Sequence, residues 1–200
     1  MAVIVLTGMP ATGKSTICKY LTESFGYPVV EKDAIKERLF DTIGFQSYPE
    51  KRRLDHAANA IVLHMTEQLL RAGQSVIIDN NFDDISQKAF RELTGRYQMT
   101  CMTVFLKGNP DVLYERYVKR DKAHARHLGH ILQEHYPPRE GDCLDYAMTR
   151  AEFEDKFLKR GMDHFFCPGG RIEVDTSDFE KVNPARVVEQ IQEYFALLSG

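Results

Sequence analysis

The chain has 200 residues, enough for one α/β domain with a sizeable core or for two small ones. Its 43% hydrophobic and 28% charged residues exclude a disordered or fibrous chain. The formal net charge of −3 gives the whole molecule no bulk attraction for nucleic acid or anionic membrane, although a local basic patch would not register in that sum.

Ala2-Val-Ile-Val-Leu6 is a short apolar run rich in β-branched residues, which predicts a buried parallel strand. Gly8 to Ser15 then reads G-M-P-A-T-G-K-S, and Ile17, Tyr20 and Leu21 follow at helical spacing within Ser15–Leu21. Tyr27–Glu31 predicts a second strand, and Asp33 can cap a helix running to about Asp41. Pro49 opens a longer helix that Gly73 ends, with an expected buried stripe of Leu54, Ala57, Ala58, Ile61, Met65, Leu69 and Ala72. His56 and His64 fall within it and read as structural. Ser75–Asp79 is a third strand, about Asp84 to Tyr97 a helix, and Thr100–Leu106 a fourth strand. Asn109-Pro110 starts a helix carrying Glu115 to Asp121. From Lys122 to Gly141 the pattern breaks into His, Arg, Gly and Pro. Asp142–Lys159 regains helical spacing through Leu144, Tyr146, Phe153 and Phe157. Arg171–Asp175 is the last strand and Pro184–Leu198 the last helix.

Strands alternating with helices imply a parallel sheet with helices on both faces. Ligands of such sheets bind at the carboxyl ends of the strands. Gly8, Asp33, Asp79 and Asp175 all fall at such ends. No apolar run reaches membrane-spanning length, and the N-terminus leads into a strand without the pattern of a signal peptide, so a cytoplasmic, membrane-free protein is expected. Cys18, Cys101, Cys143 and Cys167 form no C-x-x-C pair and are expected to be reduced thiols.

The run Gly8–Ser15 fits the phosphate-binding pattern G-x-x-x-x-G-K-[ST], in the strand–loop–helix setting that the pattern needs. Gly8, Met9, Pro10, Ala11, Thr12, Gly13, Lys14, Ser15 and Thr16 are thus the expected nucleotide-binding segment. Lys14 can reach the β and γ phosphates, and the Ser15 hydroxyl can ligate Mg²⁺. Asp79 ends Val76-Ile-Ile-Asp79, an apolar strand delivering one carboxylate, which near Ser15 would hold the same Mg²⁺; it could instead only start the Asn80-Asn81 turn.

Asp33, in Glu31-Lys-Asp33-Ala-Ile-Lys36-Glu-Arg38, can accept or orient the proton of an attacking hydroxyl, or serve only as a helix cap. Glu31 is the competing base, expected to point away. Arg116 and Arg120 lie four apart on one helical face and lead into Arg126. Their guanidinium groups suit a lid closing over transferred phosphate, against the alternative of a solvated basic loop. His124, His127 and His130 recur every third residue without companion ligands, so phosphate contact or solvation is favoured over zinc. Thr176 or Ser177, after the last strand, can hydrogen-bond a base. Tyr48, Lys51, Arg52 and Arg53 form a small basic patch, more simply read as a solvated helix start.

Taken together these residues resemble the small P-loop kinases of the adenylate-kinase-like group. Within it they resemble the AAA-type ATP-binding kinases that include polynucleotide 5′-hydroxyl kinases, zeta-type toxins and chloramphenicol phosphotransferase-like proteins. The likeness spans nearly the whole chain and rests on Gly8–Ser15, Val30-Glu-Lys-Asp33-Ala-Ile-Lys36-Glu-Arg38, Val76-Ile-Ile-Asp79-Asn80-Asn81 and Glu115-Arg116…Arg120…Arg126-His127-Leu-Gly-His130. It implies a three-layer α/β/α P-loop NTPase fold, a five-stranded parallel sheet of order 2-3-1-4-5, and one domain over residues 1–200 with a helical lid at about 121–141. It also implies that Asp33 activates the acceptor hydroxyl, Arg120 packs near adenine and Arg126 reaches the phosphates. Leu128 stands where relatives often have proline, and His135-Tyr-Pro-Pro-Arg-Glu-Gly141 looks like an added acceptor-side cover.

The resulting expectation is an ATP- and Mg²⁺-dependent kinase acting on a hydroxyl of a small molecule or nucleotide. Lys14, Asp33, Arg116 and Arg126 would serve its chemistry, Arg120 and Thr176 would help to hold ATP, and Ser15 and Asp79 would hold the metal. A polynucleotide 5′-hydroxyl kinase or a non-kinase P-loop NTPase is the alternative, with nucleic acid a disfavoured partner. A monomer or homodimer is expected, and resemblance leaves the acceptor open.

Overall fold

The computed structural model describes residues 1–82, 84–97, 99–123, 125–142, 144, 148–159, 164, 165 and 167–199; His124, Cys143 and Tyr146 lie outside them. Five strands form one sheet: β1 (Ala2–Gly8), β2 (Val29–Glu31), β3 (Val76–Asp79), β4 (Thr100–Lys107) and β5 (Gly169–Asp175). Their order is β2-β3-β1-β4-β5 and every pairing is parallel. The expected order and layer architecture are both found.

The main helices are α1 (Lys14–Phe25), α2 (Lys32–Ile43), α3 (Tyr48–Arg71), α4 (Asp84–Thr94) and α5 (Pro110–Lys122). Two single-turn helices follow, α6 (Leu128–Ile131) and α7 (Arg150–Phe153), and then α8 (Pro184–Ser199). Alternation along β1 divides the core. Val3 and Val5 face the layer containing Val62 and Leu70 of α3 and Phe90 of α4. Ile4 and Leu6 face Ile17 and Leu21 of α1 and Val187 and Ile191 of α8. A central strand buried on both faces needs this continuous apolar run, which is why β1 is so plain in the sequence.

Local chemistry sets the element ends. Gly26 ends α1 in the left-handed conformation, its N–H bonded to the Thr22 carbonyl. Ser47 caps α3 by accepting a hydrogen bond from Glu50 N–H. Asn109 caps α5 by accepting from Asp111 and Val112 N–H, with Pro110 in the first turn.

Four expectations are corrected. Asp33 is not the cap of α2, which starts directly after β2 with Glu31 as its extended boundary residue, leaving Asp33 in the first turn. The buried face of α3 is Lys51, Asp55, Ala58, Val62, Thr66 and Leu70, whereas Met65 is 41% exposed and Ala72 is exposed. Three of the inward residues are polar, so a count of apolar side chains selects the wrong stripe. His56 and His64 are exposed on that helix. The helix expected from Asp142 begins only at Arg150, capped by Thr149 in a reciprocal box with Glu152, and passes into one π-helical turn, Glu154–Leu158. No described helix is long and apolar enough to cross a membrane. Cys18, Cys101 and Cys167 carry free thiols.

Candidate active site

One cavity of ≈ 440 Å³ opens at the carboxyl ends of the strands, lined by the loop after β1, the ends of β2 and β3, and residues of α2, α3, α5 and the lid segment. Its floor is the loop Gly8–Gly13. Gly8 has φ 141°, and a Cβ there would lie 2.1 Å from the Leu106 carbonyl oxygen. Gly13 has φ 75°, and a Cβ there would meet the Phe179 ring at 2.5 Å. Ala11 also has positive φ, at 62°. Such backbone reversals turn successive N–H groups into one concavity, the geometry of an anion nest at a helix N-terminus. Thr12 Oγ1 donates to the Met9 carbonyl at 2.7 Å and braces the loop.

Lys14 Nζ donates to the Gly8 and Met9 carbonyls, both at 3.1 Å. Burial pulls its ammonium below the usual lysine range, although Asp79 and Asp33 support the charge. Asp79, aligned with Leu6 of β1 and Glu31 of β2, lines the same cavity. Burial pushes its carboxyl up to about 7; Lys14 opposes this, and Glu31 and Asp33 add to it. A half-buried carboxylate crowded by two others, lining the same cavity as Ser15, is an oxygen donor set that suits Mg²⁺. The nearby Asn81 amide oxygen accepts from Gly8 N–H at 3.3 Å, tying the end of β3 to the loop.

The Asp79 shift has a consequence for stability. A carboxyl raised from 3.8 to about 7 stabilises the fold below pH 4, and that contribution is lost as pH rises through 7. Asp79→Asn is therefore expected to raise stability in metal-free buffer at pH 8 by up to about 4 kcal/mol, and at pH 5 by less than half as much. Thermal denaturation of both proteins in chelator at the two pH values checks this; equal gains at both would remove the electrostatic explanation.

Asp33 also opens on the cavity. Burial raises its carboxyl, but the positive charge of Arg126, Lys36 and Lys14, and of His130 when protonated, outweighs this and holds it below the ordinary aspartate range. Arg126 Nη2 stands 3.7 Å from Asp33 Oδ2, so a lid guanidinium already faces the proposed base. Glu31 lines the cavity as well, contrary to the expectation that it points away. Its carboxyl is raised by burial and by Asp33 and Glu37.

The arginines of α5 differ from one another. Arg120 lies over the Tyr117 ring at 5.3 Å, and its Nη2 is buried without a hydrogen-bond partner on a wall of the cavity. A phosphate oxygen would supply the acceptor that this donor lacks. Arg116 lines the cavity, yet its Nη1 and Nη2 donate to the Thr176 and Ser177 carbonyls at 2.6 and 3.1 Å. Thr176 is fully buried, and its hydroxyl donates to the Lys107 carbonyl at 2.9 Å, so the structure does not bring it into the cavity. Pro10 to Ser15 line the space; Gly8 and Met9 lie beneath, and Thr16 follows on α1 outside the lining.

Among the described residues of the segment expected to form a lid, α6 is the one helix after the end of α5. It packs on α2: a Cβ at Gly129 would lie 2.3 Å from Phe40 Cδ2. His127 Nε2 meets Asp41 at 3.0 Å, and His130 Nε2 meets Glu37 at 3.1 Å. Burial drives His130 down to about 4, so it is neutral at pH 7 and donates that hydrogen bond. Among the described residues no group of three His, Cys, Asp or Glu side chains could hold a metal ion. Tyr136 forms an antiparallel bridge with Phe45 and donates to Asp41 at 2.8 Å, latching the segment after the lid to α2.

The residues that composition conceals lie on α2 and α3. Asp55 is buried, and its carboxylate binds Lys32 at 3.1 Å, Lys36 at 2.8 Å and Arg52 at 3.2 Å. Lys51, only 6% exposed, donates to the His130 carbonyl at 3.1 Å and to the Leu132 carbonyl. The helix start is thus not simply a solvated patch, because Tyr48, Lys51 and Arg52 line the cavity, although Tyr48 is 49% exposed and Arg53 is exposed as well. The one signal in the sequence was the i, i+4 spacing of Lys51 and Asp55, which puts both on one face.

A family model described as an AAA domain matches residues 3–138. Among solved structures, a candidate kinase from Chloroflexus aurantiacus J-10-fl is 28% identical, with 96% of this chain and 97% of that chain covered and a TM-score of 0.78. A shikimate kinase from Bacteroides thetaiotaomicron is 20% identical, with 98% of each chain covered and a TM-score of 0.52. A gluconokinase from Sinorhizobium meliloti 1021 is 19% identical, with 98% and 93% covered and a TM-score of 0.51. The last two likenesses are of fold alone. No curated protein sequence matches.

Proposed function

The chain belongs to this AAA-domain family and carries the P-loop kinase fold, and on that premise we propose that it is an ATP- and Mg²⁺-dependent kinase transferring the γ-phosphate to a hydroxyl of a small molecule or nucleotide. One observation carries the reading: the phosphate nest, Lys14, Asp79, Asp33 and Arg126 converge on a single cavity at the strand ends. The same carboxylate could orient a water in a hydrolytic module, so the labelled product of the reaction decides between the two.

In this reading the loop amides and Lys14 hold the β and γ phosphates, and Ser15 and Asp79 hold Mg²⁺, which would neutralise charge developing between those phosphates. Asp33 accepts a hydrogen bond from the acceptor hydroxyl and fixes its lone pair in line with the γ-phosphorus. Its depressed pKa makes it chiefly an orienting group until proton transfer is well advanced. Arg120 and Arg126 present guanidinium donors to the phosphoryl oxygens as charge spreads over them. Arg116 acts one step back, by fixing the Thr176–Ser177 turn.

The test is transfer of label from γ-labelled ATP to a panel of hydroxyl compounds, including 5′-hydroxyl oligonucleotides. A labelled acceptor should form with Mg²⁺ and not in chelator. Free phosphate as the sole labelled product with every acceptor would favour the hydrolytic module.

A further inference from the structure

The recess between α2 and α3 carries more positive charge than the donor site needs. Lys32, Lys36 and Arg52 all converge on the single carboxylate of Asp55, three cations on one direct partner, with Asp33 acting on the two lysines only at longer range. The side chains of Lys32 and Lys36 are only 12% and 14% exposed, so bulk water does not dissipate this surplus. Lys51 adds a third amine, held by the His130 and Leu132 carbonyls and standing 5.5 Å from the Phe45 ring centre, none of which supplies a negative charge. The three other carboxylates of the cavity, Glu31, Asp33 and Asp79, gather at the strand ends opposite Lys14. The surplus therefore lies on the acceptor side of Asp33, away from the phosphate nest.

Two consequences of this crowding are visible in the amines themselves. Burial, with Lys36, Lys156 and Arg126 nearby, lowers Lys51 to about 6. Lys32 is pulled below its usual range by burial, with Lys36 opposing the support it gets from Asp55. An enclosed group of amines that weaken one another is stabilised by an anion arriving among them.

Resting on the kinase reading above, we propose that the acceptor is a small alcohol bearing an anionic group, a phosphate or a carboxylate, which Lys32, Lys36 and Arg52 receive while its hydroxyl faces Asp33. Binding an anion to ammonium and guanidinium groups adds affinity without making or breaking a covalent bond, and it fixes which hydroxyl of a polyol is presented. A nucleic acid strand is the poorer occupant, since the two lysines are largely buried beside the lid and do not line an open groove.

The experiment starts from protein saturated with Mg²⁺ and a non-hydrolysable ATP analogue, which blocks the phosphate nest. Calorimetric titration with inorganic phosphate and, separately, with acetate should show binding that Lys36→Gln and Arg52→Gln each weaken by about tenfold, the size expected for one charge-assisted hydrogen bond. Asp55 keeps two cationic partners in either variant, and affinity for the ATP analogue should be unchanged. In parallel, transfer is compared among a neutral hexose, its phosphate monoester, the corresponding sugar acid and a 5′-hydroxyl oligonucleotide. The phosphate or the acid should exceed the neutral sugar at least about tenfold in kcat/KM, and whichever prevails identifies the anionic group. Anion binding absent from the nucleotide-loaded protein, binding equal in the variants, or preference for the neutral sugar or the oligonucleotide overturns the proposal. Failure of the ATP analogue to bind at all would instead overturn the kinase reading.

Discussion

Lys14→Ala is expected to lower phosphoryl transfer by about 10³-fold or more, the largest single effect in the molecule. The ammonium rests on the Gly8 and Met9 carbonyls at 3.1 Å, so it is already positioned at the mouth of the nest. An incoming triphosphate offers it charged oxygens in place of neutral ones, and the gain grows as negative charge builds on the γ-phosphoryl group. Alanine leaves that charge without the cation anchored on the loop carbonyls. The fold should survive, because Lys14 is the first residue of α1 and contributes nothing to the apolar layers. Label transfer and calorimetry with ATP measure the two losses separately. A variant that transfers phosphate at the parent rate would remove Gly8–Ser15 from the mechanism.

Asp33→Asn is expected to cost about 10²- to 10⁴-fold in turnover while nucleotide affinity is kept. Asparagine preserves the size of the side chain but can neither take up the hydroxyl proton nor hold Arg126 by charge. The local positive charge keeps Asp33 ionised well below neutrality. Loss of turnover should therefore be nearly independent of pH between 6 and 8, which sets it apart from any effect of Asp79, whose carboxyl titrates near 7. If Asp33→Asn turned over like the parent, the acceptor hydroxyl would have to be oriented by another group, with Glu31 a carboxylate candidate lining the same cavity.

The contrast between α1 and α3 explains what the sequence revealed. The loop, α1 and Asp79 could be read directly because their signals are local: adjacent glycines, an apolar strand and a terminal carboxylate. Helix α3 was misread because its inward face holds Lys51, Asp55 and Thr66, and periodicity arguments treat polar residues as outward. The Lys32–Asp55 and Lys36–Asp55 pairs join two helices through space, and no spacing rule links them. Asp33 was mistaken for a cap because β2 and α2 meet with no intervening loop, a boundary that composition does not mark. Thr176 and Arg116 were sound candidates by type, but the turn after β5 uses their donors internally.

The pairing of Arg126 with Asp33 bears on the order in which the two substrates engage. While that guanidinium faces the carboxylate at 3.7 Å, an alcohol entering alone would compete with it for Asp33. The triphosphate is the stronger competitor for the arginine, and by drawing it away frees Asp33 for the second arrival. On the kinase reading proposed above, the donor would therefore engage before the acceptor.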